Sequence, residues 1–347
     1  MSENKMLYVS LPPHSYSGAT ISSLMYSVAA ALMPALAASV YVYGLDALRV
    51  TAIAVASSVA IEFAIQKWLL KGKPSAFDGS AIVTGILLAF NLPSGMPGWM
   101  VALGSFVAIA IAKMSFGGLG NNPFNPALVG RAFLLVSFPA AMTKWPVPPR
   151  SPAFADALAA ASAQGYPMTD ALTGATPLGI LKEGLKGGGD FSALSIPPPS
   201  IQDLLFSFKG GCIGEVSVAA LALGLIFLLL RKVVNWRIPV VTVLTVAAAT
   251  GLFWLVDPSR YANPLFHLAS GGLVLGAAFM ATDYSTSPMT GKGMILFAAG
   301  IGLITVLIRL FGSYPEGMSF AILIMNAFVP FINRYCKPRR FGESRWR

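Results

Sequence analysis

Apolar residues in this chain do not alternate with polar ones. They run in blocks of roughly 15 to 23 residues, separated by short polar or glycine- and proline-bearing breaks. A helix that crosses a bilayer needs about 20 such residues. Ten blocks are therefore predicted as membrane spans: 21–43, 48–68, 79–93, 97–114, 126–143, 213–231, 238–256, 263–281, 293–311 and 317–334. The expected fold is all-α and polytopic.

Five spans lie on each side of a polar, proline-rich segment, 144–212. The expected organisation is an N-terminal segment 1–20, a first membrane half 21–143, the central loop 144–212, a second membrane half 213–334 and a basic tail 335–347. With five spans per half, halves related by duplication are inverted with respect to each other. Leu88-Ala-Phe-Asn91 faces Ala277-Ala-Phe-Met280, and Phe124-Asn-Pro-Ala127 faces Met325-Asn-Ala-Phe328. These matches are too short to establish a repeat, but the five-plus-five count favours two inverted five-helix repeats. The central loop carries nine prolines between Pro146 and Pro199, the run Gly187-Gly-Gly189, and an alanine-rich stretch, 154–163, suited to a short helix.

Composition strengthens the membrane reading. Of 347 residues 55% are hydrophobic and 11% charged, with a mean hydropathy of +0.69. Soluble domains carry about 25% charged residues. The formal charge of +10 comes from 24 Lys and Arg against 14 Asp and Glu. The basic residues gather at alternate span ends: Lys67, Lys71, Lys73, Lys113, Arg231, Lys232, Arg237 and Lys292, then six more from Arg334 to Arg347. Opposite them stand Arg49, Arg260 and Arg309. This is the positive-inside pattern. It places both termini in the cytoplasm and the central loop outside, and it argues against nucleic-acid binding. Long loops translocate regardless of charge, so the loop's own basic residues do not count against this. The N-terminus has no basic segment running into an apolar core, and no cleavable signal peptide is expected.

Two cysteines, Cys212 and Cys336, cannot supply the four thiolates an iron–sulfur cluster usually needs. The two histidines, His14 and His267, do not suit bis-histidine haem ligation, because His14 precedes the first span.

Candidate chemistry begins in the central loop, at Asp170-Ala-Leu-Thr-Gly-Ala-Thr176. Gly174 permits close approach of another molecule. Thr173 and Thr176 supply hydroxyls, and Pro177 fixes the backbone that follows. A threonine hydroxyl is a weak nucleophile without an activating base. Asp170 is the one nearby candidate base. A bond at Thr176 is thus more readily made by an external enzyme that uses this segment as its substrate. The plainer reading is an Asx or Ser/Thr turn.

A second constellation, Gly117-Gly-Leu-Gly-Asn-Asn-Pro-Phe-Asn-Pro-Ala-Leu-Val-Gly130, sits between spans four and five. Asn122 and Asn125 share a face if the turn is helical, and their amides both donate and accept. Irregular backbone at membrane depth is tolerated only beneath protein or beside a cavity. The motif suits a neutral, hydrogen-bonding ligand, and equally a helix cap. Charges within or at the ends of spans are costly and therefore candidates for function. Glu62, Asp78 and Asp283 lie toward the cytoplasmic side, where they suit an ion path or a partner contact. Arg131 enters span five.

These two motifs, with Met280-Ala-Thr-Asp-Tyr-Ser-Thr-Ser-Pro288, Gly312-Ser-Tyr-Pro-Glu-Gly-Met318 and Pro338-Arg-Arg-Phe341, resemble the NqrB/RnfD family over nearly the full length. That family comprises membrane subunits of the sodium-pumping NADH:quinone oxidoreductase and of the Rnf electron-transport complex. The resemblance implies FMN esterified through its phosphate to Thr176 by a flavin transferase, with Asp170, Thr173, Gly174 and Ala175 completing the recognition string. It implies non-covalent riboflavin near Asn122 and Asn125. It further implies a cell-membrane complex, with the A, B, C, E and G subunits of the Rnf complex as partners, that links ferredoxin and NAD⁺ to Na⁺ or H⁺ transport. The chain has no strand-associated G-x-G-x-x-G motif, so partners would handle the nucleotide. A different class remains open: a secondary transporter or channel with inverted five-helix repeats and no flavin.

Overall fold

Several helices start where a side chain satisfies the backbone groups that a helix leaves unpaired. A computed structural model describes residues 20–71, 78–148, 174, 176–186 and 211–337. Helix α1 (Ile21–Tyr43) opens on Thr20, whose hydroxyl accepts from the Ser23 amide at 3.2 Å. It stops at Gly44, whose φ of 69° favours glycine and turns the chain directly into α2 (Leu45–Ala64). A π turn, Ile65–Leu69, prolongs α2. Then follow α3 (Ser80–Phe90), α4 (Gly98–Phe106) with its π turn Val107–Ile111, and α5 (Pro126–Ser137). The four-residue α6 (Pro139–Met142) closes the first half, and the ten-residue α7 (Pro177–Lys186) lies in the central segment.

The second half comprises α8 (Val218–Leu230), α9 (Arg237–Val256), α10 (Pro264–Ala269), α11 (Leu273–Leu275) with the π turn Gly276–Met280, α12 (Gly291–Phe311) and α13 (Met318–Tyr335). Ser217 caps α8 and Thr290 caps α12. No β-strand occurs among the described residues.

Among the described residues, six helical stretches are long and apolar enough to cross a membrane: Ile21–Tyr43, Leu45–Leu69, Gly98–Phe116, Arg237–Val256, Gly291–Phe311 and Met318–Tyr335. Their outward faces carry exposed Leu244, Leu252, Leu303, Phe328 and Phe331, as a lipid-facing surface would. The other four predicted spans are shorter or broken. Helix α3 has 11 residues and a rise of about 16 Å, roughly half of a 30 Å hydrocarbon layer. Every residue of α3 except Ile82 is buried. The run 263–281 breaks at Ser270–Gly272, where Gly271 has φ 71°.

These short elements form the centre of the molecule. Helix α3 packs on α2 so closely that a Cβ on Gly85 would lie 2.7 Å from Val55 Cα. The helix ends at Asn91 and Met280 meet inside the bundle, with Asn91 Nδ2 3.6 Å from Met280 Sδ. Across the two halves α1 packs on α8 and α5 on α13. One hydrophobic core runs through both halves.

Candidate functional site

At the end of the bundle that holds the starts of α1, α3 and α5, a mainly apolar cavity of about 80 Å³ also presents Ser80, Lys113, Asn122, Asn125 and Asp283 in its wall. It adjoins a wider space of about 570 Å³, lined by Gln66, Asp78, Gly117–Gly120 and again Asp283. The wider space lies in the range of ligand sites, roughly 300–1,000 Å³. A buried ion pair stands beside the cavity: Lys113 Nζ is 2.7 Å from Glu62 Oε2, and both side chains are almost wholly enclosed. Lys113 Nζ also donates to Ser80 Oγ at 2.6 Å, and Ser80 Oγ donates to Asp78 Oδ1 at 2.6 Å. Gln66 Nε2 donates to Glu62 Oε1 at 3.2 Å. One ammonium thus links Glu62 to Asp78 through a hydroxyl.

The two asparagines do different work. Asn125 caps α5: its Oδ1 accepts from Ala127 N and Leu128 N, and its Nδ2 donates to the Met280 carbonyl at 3.1 Å. Asn122 Nδ2 donates to the Phe124 carbonyl at 3.1 Å, while its buried Oδ1 has no hydrogen-bond partner. An unpartnered buried acceptor in a cavity wall is the kind of group a ligand donor satisfies. Asp283, between α11 and α12, accepts from Ser285 Oγ and Thr286 Oγ1. Burial pushes its carboxyl above the ordinary carboxylate range, and those bonds, with one from Asn122, pull the other way.

At the opposite end, Thr176 is the residue before α7. Its Oγ1 accepts from the Gly179 amide at 3.1 Å, the bond of a helix N-cap. Leu178 and Leu181 pack with Ala262, Phe266 and Ala269. Lys182 Nζ donates to the carbonyls of Ile308 and Tyr314. Gly174 N donates to the Trp145 carbonyl at 2.9 Å. The helix that starts at Thr176 is therefore fastened to the membrane bundle. Thr176 lines a pocket of about 30 Å³ with Arg131, Trp145, Glu215, Gly271 and Glu316. Beneath it Glu316 Oε2 lies 3.7 Å from Arg131 and its Oε1 3.6 Å from Arg309. Glu316 Oε1 also accepts from Gly272 N at 2.6 Å.

Residues 8–342 match the NQR2, RnfD, RnfE family. The chain belongs to this family. It is 46% identical to the D subunit of the Na⁺-translocating ferredoxin:NAD⁺ oxidoreductase complex of Acetobacterium woodii, over 98% of this chain and 96% of that one. It is 44% identical to the D subunit of the proton-translocating ferredoxin:NAD⁺ oxidoreductase complex of Clostridium ljungdahlii, over 97% and 96%. It is 38% identical to the D subunit of the ion-translocating oxidoreductase complex of Stutzerimonas stutzeri, over 94% and 93%. The first two relatives are nearly equally similar and are named for different ions, so overall identity does not select one.

Within this member of the NQR2, RnfD, RnfE family, the structure gathers Glu62, Asp78, Asn122, Asn125 and Asp283 around one end of the bundle. It sets Thr176 at the other. Asp170, Thr173 and Ala175 lie outside the described residues. A polar seam joins the ends. Asn125 holds the Met280 carbonyl, Asn91 Nδ2 approaches Met280 Sδ, and Arg131 Nη1 donates to Asn91 Oδ1 at 2.8 Å and to Ser319 Oγ at 2.6 Å. From Arg131 the seam reaches Glu316 and the pocket under Thr176.

Several of these residues were not singled out by sequence reasoning: Lys113 and Ser80 at one end, Glu215, Arg309 and Glu316 at the other. Lys113 reads as a topogenic charge and Arg309 as a span-end charge. Glu316 had a weak signal, since it lies in the Gly312–Met318 string that carries the resemblance.

Proposed function

We propose that this chain is the flavin-bearing membrane subunit of an ion-translocating ferredoxin:NAD⁺ oxidoreductase of the Rnf type. FMN is joined through its phosphate to the Thr176 hydroxyl. The observation that carries this reading is the setting of Thr176: it caps a ten-residue helix fixed to the bundle and opens onto a pocket walled by Arg131. Helix N-termini and guanidinium groups both favour phosphate. Arg131 Nε is buried without a hydrogen-bond partner, so the residues present fit a phosphoryl group.

When bound, the flavin supplies reversible electron transfer between partner centres. This chain's residues hold and orient. Thr176 provides the attachment oxygen, and α7 fixes its position. Asn122 offers its unpartnered Oδ1 to a donor such as a ring N–H of riboflavin in the adjoining cavity. Glu62, Asp78 and Asp283 present carboxylates to Na⁺ or H⁺ at the cytoplasmic end. The ten helical stretches form two inverted five-helix repeats around the half-length helices. Positive-inside charge puts both termini in the cytoplasm of a bacterial inner membrane and the Thr176 loop outside. A flavin transferase acting outside makes the bond, and the A, B, C, E and G subunits of the Rnf type complete the complex.

Mass spectrometry of the Thr176 peptide from the complex tests the reading. An added mass of FMN less water is expected, with a fluorescent band in the denaturing gel that Thr176→Ala abolishes. An unmodified peptide, from cells that hold an active flavin transferase, overturns it. Half-length helices meeting inside the bundle also suit a solute path. On that second reading Thr176→Ala leaves transport intact.

A further inference from the structure

We propose that the oxygens of Glu62, Ser80 and Asp78 form a monovalent-cation site that the chain fills with its own Lys113 ammonium, and that a metal cation takes this site only by displacing that ammonium. The place of the site on an ion path rests on the reading above; the site itself rests on the geometry around Nζ.

Lys113 is 1% exposed, and so is Glu62. The acceptors at Nζ are a carboxylate and a hydroxyl: Glu62 Oε2 at 2.7 Å and Ser80 Oγ at 2.6 Å. A second carboxylate stands behind the hydroxyl, since Asp78 Oδ1 accepts from Ser80 Oγ at 2.6 Å and from Ser80 N at 2.8 Å. Gln66 Nε2 holds the other oxygen of Glu62. Oxygens of this kind are the ligands of hard cations. Asp78 has no ion pair of its own among the described residues, so two carboxylates share one ammonium. A vacant cage would strand the buried charge of Glu62, which is costly. One cation therefore leaves as another enters.

The surroundings permit the exchange. Ser80 and Lys113 line the cavity of about 80 Å³, and Asp78 and Gln66 line the wider space of about 570 Å³ beside it, so the cage can be reached. Asp283 and Asn122 stand in the same cavity wall, and the buried Asn122 Oδ1 has no hydrogen-bond partner. An ammonium that leaves the cage stays among acceptors. Lys113 is also carried on irregular backbone. It follows the π turn Val107–Ile111 and precedes a run in which Gly117, Gly118 and Gly120 have φ of 102°, 91° and 94°. Nothing lies within 4 Å of a Cβ placed on Gly118 or Gly120, so packing does not lock this stretch.

Lys113→Ala vacates the site, and Na⁺ is the probe. Melting temperatures of the purified complex are measured in sodium chloride and in choline chloride at equal ionic strength. Na⁺ is expected to raise the melting temperature of Lys113→Ala by several degrees more than that of the wild type, saturating with concentration. Adding Glu62→Gln to that background is expected to abolish the rise. A Lys113→Ala complex that Na⁺ does not stabilise, an equal rise in the wild type, or a rise that survives Glu62→Gln overturns the proposal. If Lys113→Ala does not assemble, Lys113→Met, whose side chain ends one atom short of Nζ, is read in the same way. If neither assembles with Na⁺ present throughout, a metal ion does not replace the ammonium and the proposal falls. Ion transport is measured separately in the double variant Glu62→Gln with Lys113→Met. Unchanged transport there takes these residues off the ion path, which overturns that part of the reading above and leaves the site to the melting test.

Discussion

Glu62 and Lys113 show what a single charge costs in this molecule. Each is enclosed, and each has the other as its counter-ion at 2.7 Å. Removing one partner of a buried pair leaves an uncompensated charge, a loss of about 3–5 kcal/mol. Lys113→Met is therefore expected to lower the melting temperature of the complex sharply. The double change Glu62→Gln with Lys113→Met recovers most of the loss, because no bare charge remains. Additive losses in the double variant would sink this account. The pair also marks how far sequence carries at the residue scale. Glu62 is conspicuous as an acid inside an apolar run. Its partner lies 51 positions away, and no local spacing rule joins them. The same holds for Arg131 and Glu316. Thr176 is legible because its neighbours in sequence form the motif. Arg131 is visible as a charge entering a span, but its place under Thr176 follows only from folding.

Helix starts are written locally and helix lengths are not. Thr20, Ser217 and Thr290 each cap the element that follows, and Asn125-Pro126 opens α5. Helix α3 is shorter than its apolar run, because the chain leaves helix at Asn91 while burial continues through Leu92. Hydropathy follows burial, and here burial is by protein, so it cannot mark where the backbone turns. The tight seat of α3 yields a prediction of its own. Gly85→Val brings atoms onto Val55 Cα and Ala54 O, so α2 and α3 must separate, at about 1–3 kcal/mol or more. Gly251→Ala, in α9, meets nothing nearer than 3.6 Å. It is expected to stabilise by up to about 1 kcal/mol through helix propensity. Opposite signs in the two melting temperatures are the expected result, and a neutral Gly85→Val would refute the packing argument.

The whole molecule is a helical bundle with a cationic, acid-lined end and an arginine-centred end joined by a seam. Composition and block length suffice to read the membrane class, and the motifs suffice for the family. The meeting of the two halves at Asn91 and Met280 comes from tertiary packing that short sequence matches only hint at. Orientation is open to direct test. In a Cys336→Ser background, Met289→Cys lies in the loop before α12 and is 87% exposed. Arg260→Cys sits in the exposed turn after α9. A membrane-impermeant maleimide added to sealed, right-side-out vesicles should label the second and spare the first. The reverse pattern would invert the proposed topology and place Thr176 in the cytoplasm.

The hold on Arg131 also sets how the seam answers to voltage. A potential of about 100 mV does about 2.3 kcal/mol of work on a unit charge carried across the whole membrane. Hydrogen bonds to a charged group are worth roughly 1.5–3 kcal/mol each. Arg131 has two such short bonds, to Asn91 and Ser319, besides its contact with Glu316. Even the work of a full crossing is no more than these bonds together supply, so the guanidinium stays in place as the membrane charges and discharges. On this comparison Arg131 is expected to behave as a fixed charge and not as a gating charge.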